Sequence, residues 1–210
     1  MARTRIKICG IKDEDALYAA IDAGADAVGF VFVESSPRYV RPEAAFDLMG
    51  LLTPLVVSVG VLENADEDAF AQIEQICPVH HVQLHGSETP EVVEACGPDV
   101  IKAVRFGSAT FEQDLARWEI DQNVAAILID APVGGSGQAI DWRAVAPLTE
   151  RLSKPVFLAG GLTPQNVAEA IRTVRPYAVD VSSGVERERG VKDAGLIEAF
   201  CAAVQRADLG

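Results

Sequence analysis

Short apolar runs alternate with longer amphipathic stretches along the whole chain. Runs of strand length that are apolar without internal alternation are typical of strands covered on both faces, as in a parallel sheet. Stretches with apolar residues three and four positions apart indicate helices between them. This pattern predicts strands over residues 5–9, 27–32, 55–62, 81–85, 100–104, 125–130, 156–159 and 178–181.

Helices are predicted between and after these strands. They cover residues 13–23, 42–52, 66–76, 90–95, 111–118, 142–150, 164–174 and 194–206. Strands that alternate with helices imply right-handed crossovers and a parallel sheet. Eight such units predict an α/β fold, a closed (β/α)8 TIM barrel that forms a single domain over residues 1–210. A doubly wound open sheet is the alternative, although no GxGxxG motif follows the first strand to support a dinucleotide site.

Two reactive side chains stand at strand ends, where barrel enzymes place their active sites. Asp130 ends the sixth strand, and a carboxylate is costly next to an apolar run. Its alternative role is to cap the following turn. Cys9 ends the first strand and is either an inert buried thiol, a nucleophile or a base. A thiol and a carboxylic acid that share one pocket can act as an acid–base pair.

Glycine and serine residues follow the last two strands. Gly160-Gly161 comes after the seventh strand and Ser182-Ser183-Gly184 after the eighth. Barrels bind phosphate at these two loops, because exposed backbone amides and helix N-termini attract anions. The alternative is that both segments only form tight turns. Thr163 before Pro164 predicts the N-cap and first turn of the seventh helix.

Other polar residues are expected at the same end of the barrel. Arg38 follows the second strand and can either grip a carboxylate through its planar fork or stay solvated. Gln83 and His85 are two residues apart and therefore share one strand face. Asp180 lies in the eighth strand.

Charge and composition exclude several partners. The 210 residues carry a net charge of -13, which argues against nucleic acid. No run approaches the ~20 apolar residues of a membrane span, and the chain begins directly with a strand pattern, so we predict neither membrane association nor a signal peptide. Four widely spaced cysteines predict free thiols and a cytoplasmic location. His80 and His81 point to opposite strand faces, so we predict no metal site.

The chain resembles the phosphoribosylanthranilate isomerase family on motifs spread over its whole length. They are Lys7-Ile8-Cys9-Gly10-Ile11, Ser36-Pro37-Arg38-Tyr39-Val40, Gln83-Leu84-His85-Gly86, Leu128-Ile129-Asp130 with Gly134-Gly135-Ser136-Gly137, Leu158-Ala159-Gly160-Gly161-Leu162, and Val179-Asp180-Val181-Ser182-Ser183-Gly184-Val185-Glu186. Two loops depart from the family. Arg189 stands before Gly190 where the family often has a proline, and Ala131-Pro132 precedes the glycines after the sixth strand.

The resemblance implies an isomerase of tryptophan biosynthesis that needs no cofactor. The family converts N-(5-phosphoribosyl)anthranilate to 1-(2-carboxyphenylamino)-1-deoxyribulose 5-phosphate, an Amadori rearrangement. By resemblance Cys9 is the general base and Asp130 the general acid. Arg38 would bind the anthranilate carboxylate, with Gln83, His85 and Asp180 as further substrate-binding residues. The phosphate would be held by Gly160, Gly161, Ser182, Ser183 and Gly184.

The base role requires a thiolate, so we expect the pKa of Cys9 to be lowered from its free value. The expected ligand is a small phosphosugar, and the chain would be a monomer or a homodimer.

Two other functions stay open on the sequence alone. One is a phosphoribosyl isomerase of histidine synthesis, and the other is a barrel that binds a phosphorylated ligand without catalysis. The isomerase of histidine synthesis would need a second phosphate-binding site on the opposite side of the barrel mouth. The loop after the third strand instead carries four carboxylates and no glycine pair: Glu63, Asp66, Glu67 and Asp68. We therefore expect a substrate with a single phosphate.

Overall fold

Eight parallel strands close into one barrel in chain order, and the first strand pairs with the last. This arrangement comes from a computed structural model that describes residues 3–131 and 140–209. The strands are β1 (Arg5–Cys9), β2 (Ala27–Val31), β3 (Val57–Leu62), β4 (His81–Leu84), β5 (Val100–Arg105), β6 (Val124–Asp130), β7 (Val156–Leu158) and β8 (Ala178–Val181). The predicted (β/α)8 barrel is confirmed.

One helix follows each barrel strand. The helices are α1 (Glu14–Asp22), α2 (Pro42–Met49), α3 (Glu67–Ile76), α4 (Pro90–Ala95), α5 (Phe111–Ile120), α6 (Trp142–Thr149), α7 (Val167–Val174) and α8 (Ala194–Asp208). Four of them begin at an aspartate whose side chain accepts a backbone N–H of the first turn: Asp13, Asp66, Asp141 and Asp193. Within the described part of the chain, no helix is long and apolar enough to cross a membrane.

The seventh helix begins three residues later than predicted, and Thr163 is not its N-cap. The side chain of Asn166 shapes the loop instead: its Oδ1 accepts the Thr163 N–H at 2.8 Å and its Nδ2 donates to the Gly161 carbonyl at 2.9 Å. Pro164 therefore lies in a turn before the helix rather than in its first turn. The same bonds fix the loop that carries Gly161.

A short hairpin after β8 was not predicted. A 3-10 turn at Ser183–Val185 leads into two antiparallel strands, β9 (Glu186–Glu188) and β10 (Val191–Lys192). Its sequence is almost entirely charged, so it carries none of the apolar alternation that identifies strands. The hairpin stands beside the carboxyl ends of the barrel strands and adds side chains to the site.

Alternate residues of each strand face either the helices or the barrel interior. Outward residues such as Ile6 and Ile8 join the main core between strands and helices. The interior holds a smaller apolar layer of Val59, Ile101, Ala103, Ala126, Leu128 and Ala159. On β6 the same inward face continues from Leu128 to Asp130, so the interior changes from apolar to polar at the carboxyl ends.

A buried ion pair fastens the loops after β3 and β4 to β5. Lys102 is 2% exposed, and its Nζ lies 2.9 Å from Glu88 Oε2. Its other bonds go to backbone carbonyls of β4, β5 and the loop after β4. Glu88 Oε1 accepts the N–H groups of Asn64 and Gly86. Burial would raise the pKa of Glu88, but the Lys102 ammonium lowers it below its usual range.

We predict that Glu88→Gln lowers the free energy of unfolding by ~3–5 kcal/mol, because it leaves the Lys102 ammonium buried without a carboxylate. Urea unfolding followed by circular dichroism measures this loss. The matched control is Glu63→Gln, which breaks an exposed pair with Arg105 (3.0 Å) and should cost less than ~1 kcal/mol. Equal losses in the two variants would contradict the structural role of the buried pair.

Candidate active site

A cavity of about 480 Å³ opens at the carboxyl ends of the barrel strands. Ten of the eleven predicted site residues line it, although they come from strands and loops throughout the chain. They are Cys9, Arg38, Gln83, His85, Asp130, Gly160, Gly161, Asp180, Ser182 and Ser183. The barrel thus brings together the acid, the thiol and the glycine-rich loops that the sequence placed at strand ends.

The loops after β7 and β8 form one side of this cavity. Gly160 and Gly161 have φ angles of 84° and 65°, a left-handed region that favours glycine. Gly184 does not line the cavity. A Cβ there would lie 1.8 Å from the Leu162 carbonyl oxygen, so only glycine lets the two loops pack together. This pair of loops has the position and composition of a barrel phosphate site.

The Asp130 carboxylate is held by two hydrogen bonds at the end of β6. Its Oδ1 accepts the N–H of Ala131 at 2.8 Å, and its Oδ2 lies 3.0 Å from His85 Nε2. The side chain is 8% exposed and borders the cavity. Asp130 therefore presents an oriented carboxyl group to any molecule bound there.

A directional chain of hydrogen bonds runs across the barrel to this carboxylate. Lys7 Nζ donates to Gln83 Oε1 at 2.9 Å, and Gln83 Nε2 lies 2.8 Å from His85 Nδ1. An ammonium can only donate, so it fixes which end of the Gln83 amide faces His85. The amide N–H then donates to Nδ1, which places the proton of the neutral imidazole on Nε2, facing Asp130.

Lys7 is a site residue that the sequence reasoning missed. It is 1% exposed, and its Nζ also lies 3.0 Å from Asp180 Oδ1. Burial alone would lower the pKa of Lys7, but the Asp180 carboxylate and Cys9 raise it above its usual value. A signal was present, since Lys7 precedes Cys9 by two residues and must share its strand face.

The expected low pKa of Cys9 is wrong. The thiol is buried, and this burial raises its pKa above the usual value. The ammonium groups of Lys7 and Lys192 lower the pKa of Cys9 but do not fully offset the effect of burial. The Asp180 carboxylate raises this pKa further. The sequence could not supply this balance, because it depends on how deeply the end of β1 lies in the barrel.

Arg38 is paired rather than solvated, and its partner is a carboxylate of the chain itself. Its Nε and Nη2 lie 2.7 and 2.9 Å from the two oxygens of Glu186 on β9. Lys192 Nζ lies 2.9 Å from the same carboxylate and donates to the Ser182 carbonyl. Burial would raise the pKa of Glu186, but the hydrogen bonds from Arg38 and Lys192 lower it to about 2. The hairpin is thereby joined to the loop after β2.

Other charged residues complete the cavity wall. Glu63, Arg105 and Arg189 line it, and none was predicted as a site residue. Arg189 is also one of the two loop departures from the family. The other departure is Ala131-Pro132 before the glycines, and from Pro132 onward it lies outside the described residues. Over residues 3–131 and 140–209, no three His, Cys, Asp or Glu side chains are grouped to hold a metal ion.

Fold and cavity together define a (β/α)8-barrel enzyme. The family model described as N-(5'phosphoribosyl)anthranilate (PRA) isomerase matches residues 6–203. An N-(5'-phosphoribosyl)anthranilate isomerase from Nitrosococcus oceani is 45% identical over 202 residues, covering 94% of this chain and 96% of that protein. The chain belongs to the N-(5'-phosphoribosyl)anthranilate isomerase family and is an isomerase.

Solved structures agree with this assignment. The phosphoribosyl anthranilate isomerase of Thermus thermophilus superposes with a TM-score of 0.87 at 36% identity, covering 97% of this chain and 99% of that one. A second isomerase structure, in complex with reduced 1-(o-carboxyphenylamino)-1-deoxyribulose 5-phosphate, has a TM-score of 0.83 at 37% identity and the same coverage.

Proposed function

We propose that Cys9 and Asp130 carry out the isomerisation of N-(5'-phosphoribosyl)anthranilate to 1-(2-carboxyphenylamino)-1-deoxyribulose 5-phosphate. The observation that supports this most directly is that a thiol on β1 and a carboxyl group on β6 border the same cavity, beside the loops after β7 and β8. This shared cavity supports the proposal, because a proton acceptor and a proton donor that border one space could both reach a single phosphorylated ligand.

In this proposal Asp130 starts the reaction as an acid. It gives its proton to the ribose ring oxygen, and the ring opens to a Schiff base. The thiolate of Cys9 then removes the proton from C2, which forms an enolamine. The enolamine tautomerises to the ketone product. The hydrogen bonds from Ala131 and His85 hold the carboxyl group of Asp130 in place during these steps.

The remaining site residues bind the two charged ends of the substrate. Gly160, Gly161, Ser182 and Ser183 would hold the phosphate through the loops after β7 and β8. Gly184, predicted with them but outside the cavity lining, would act by letting the two loops pack together. Within the described residues, Glu186 takes two of the five N–H donors of Arg38, and we assign the others to the anthranilate carboxylate. Gln83, His85 and Asp180 line the same cavity and would contact the opened sugar chain.

The wider setting follows from the same proposal. The enzyme would act in tryptophan biosynthesis on a small phosphosugar, in the cytoplasm. It would do so without a cofactor, as a monomer or a homodimer. An isomerase structure from Thermotoga maritima is described as monomers generated from a dimeric enzyme.

We predict that Cys9→Ser and Asp130→Asn each lower kcat by at least ~10²-fold, because each removes a group that moves a proton in the transition state. The assay follows the loss of anthranilate-type fluorescence from freshly prepared phosphoribosylanthranilate. Cys96→Ser is the matched control, since Cys96 caps α4 away from the cavity. A variant at position 9 or 130 with near-wild-type kcat would remove that residue from its role, and no turnover by the wild-type protein would favour the non-catalytic alternative.

Removing Arg38 should weaken product binding by ~1.5–3 kcal/mol, the value of a charge-assisted hydrogen bond. We expect this in Arg38→Met, and a smaller loss in Arg38→Lys, which lacks the planar fork. Isothermal titration with the product measures Kd. The control Glu186→Gln removes the internal partner but keeps the guanidinium, so it should bind better than Arg38→Met. An unchanged Kd in Arg38→Met would restrict Arg38 to its pair with Glu186.

The opposite side of the cavity supports the expectation of a single phosphate. Glu88 Oε1 takes the N–H groups of Asn64 and Gly86, and the Ser87 N–H donates to Asn64 Oδ1 at 2.7 Å. These three backbone donors of the loops after β3 and β4 are therefore used within the chain. Arg105 is a cation on this side that the sequence argument omitted, and it is paired with Glu63. A second phosphate would have to displace these internal bonds.

We therefore predict no measurable turnover of the bis-phosphorylated aminoaldose of histidine synthesis. The purified protein is incubated with that substrate, and the ketose product is followed by chromatography against the anthranilate reaction. A substrate whose second phosphate has no binding site should turn over ~100-fold or more slowly than the anthranilate substrate. Ketose formation within that factor of the anthranilate rate would refute the assignment to a single-phosphate substrate.

A further inference from the structure

One buried charged group in the site has no role in the acid–base scheme. Lys7 lies inside the barrel with its Nζ between Gln83 Oε1 (2.9 Å) and Asp180 Oδ1 (3.0 Å). In the register of β1 and β8, Lys7 stands directly beside Asp180, so the pair is built into the sheet. A buried ammonium is costly even when paired, which makes its place beside the cavity informative.

The ammonium of Lys7 lies close to the sulfur of Cys9. Gly29 on β2 is the register partner of Cys9, and a Cβ built on it would lie 2.9 Å from Cys9 Sγ and 3.2 Å from Lys7 Nζ. The two groups therefore border the same small space, which the missing side chain of Gly29 leaves open. At such separations a positive charge favours the ionised form of a thiol.

The charges around Cys9 do not balance while the thiol is protonated. Lys7, Arg38 and Lys192 supply three positive charges, whereas Asp180 and Glu186 supply two negative ones. His85 and Asp130 lie further along the hydrogen-bonded chain, past Gln83, and Arg189 lines the same cavity as Cys9. Ionisation of Cys9 brings the summed charge of these five side chains and the thiol to zero. Of the three cations, Lys7 is the one that borders the same space as the sulfur.

We propose that Lys7 is a positioning residue that stabilises the Cys9 thiolate, with Gln83 and Asp180 holding its ammonium in place. The proposal rests on the base role assigned to Cys9. Lys7 keeps its own protons throughout and acts only through its charge. Asp180 has two effects, because it fixes the ammonium while its own negative charge opposes ionisation of the thiol.

The test measures ionisation of Cys9 without turnover. Neutral iodoacetamide alkylates thiolates, so the rate at which the Cys9 peptide is modified, followed by mass spectrometry across pH, gives the midpoint of ionisation. We expect Lys7→Met to raise this midpoint by at least about one pH unit, and so to slow alkylation about tenfold at neutral pH. Asp180→Asn should lower the midpoint. Arg105→Met, which removes a cavity cation paired with Glu63, is the control and should leave it unchanged.

A double variant guards against misfolding, because Lys7→Met alone leaves the Asp180 carboxylate buried without its cation. Lys7→Met/Asp180→Asn removes both charges, and its midpoint should fall between those of wild type and Lys7→Met. Turnover gives a second readout: kcat of Lys7→Met should fall at neutral pH and recover as the pH rises toward the shifted midpoint. An alkylation profile that is the same in wild type, Lys7→Met and the double variant would overturn the proposal. Failure of the base role would show separately, as undiminished turnover in Cys9→Ser.

Discussion

The polar interior of the barrel depends on one buried ammonium, that of Lys7. An ammonium removed from water must be surrounded by acceptors, and Asp180 and Gln83 supply them from strands on either side of the interior. Because the ammonium can only donate, it fixes the Gln83 amide, and this amide fixes the imidazole of His85 against Asp130. The proposed acid on β6 is thus oriented from the strand that carries the proposed base.

Charge is distributed unevenly around the barrel mouth. On the side of β8, β1 and β2, Glu186 is shared by Arg38 and Lys192, so this group keeps a net positive charge. On the side of β3, β4 and β5, the carboxylates of Glu63 and Glu88 are paired with cations, and Glu88 also occupies backbone amides. In the proposed function, the net positive charge of the first side would attract the anionic groups of the substrate and so help to orient it.

The order of strands and helices could be predicted from the sequence because a parallel barrel buries its strands on both faces. The strand at residues 178–181 was placed correctly for that reason, and the helix at residues 90–95 because Pro90 marks its first turn. The strand ends also located the site, because parallel strands deliver their carboxyl ends to one rim. The features that could not be predicted depend on side-chain contacts that the local sequence does not reveal. Arg38 and Glu186 are 148 residues apart, and the start of α7 depends on where the Asn166 side chain turns.

Two buried lysines in this barrel show why burial alone does not identify a functional residue. Lys102 and Lys7 are equally inaccessible, and each is paired with one carboxylate. The other bonds of Lys102 go to backbone carbonyls, so its charge fastens loops, and apolar residues of matching volume can replace such a pair at little cost. The bonds of Lys7 go to side chains that themselves border the cavity. An apolar replacement there would keep the packing but would release the amide, the imidazole and the charge beside Cys9, and it is this dependence of the cavity side chains that marks Lys7 as part of the site.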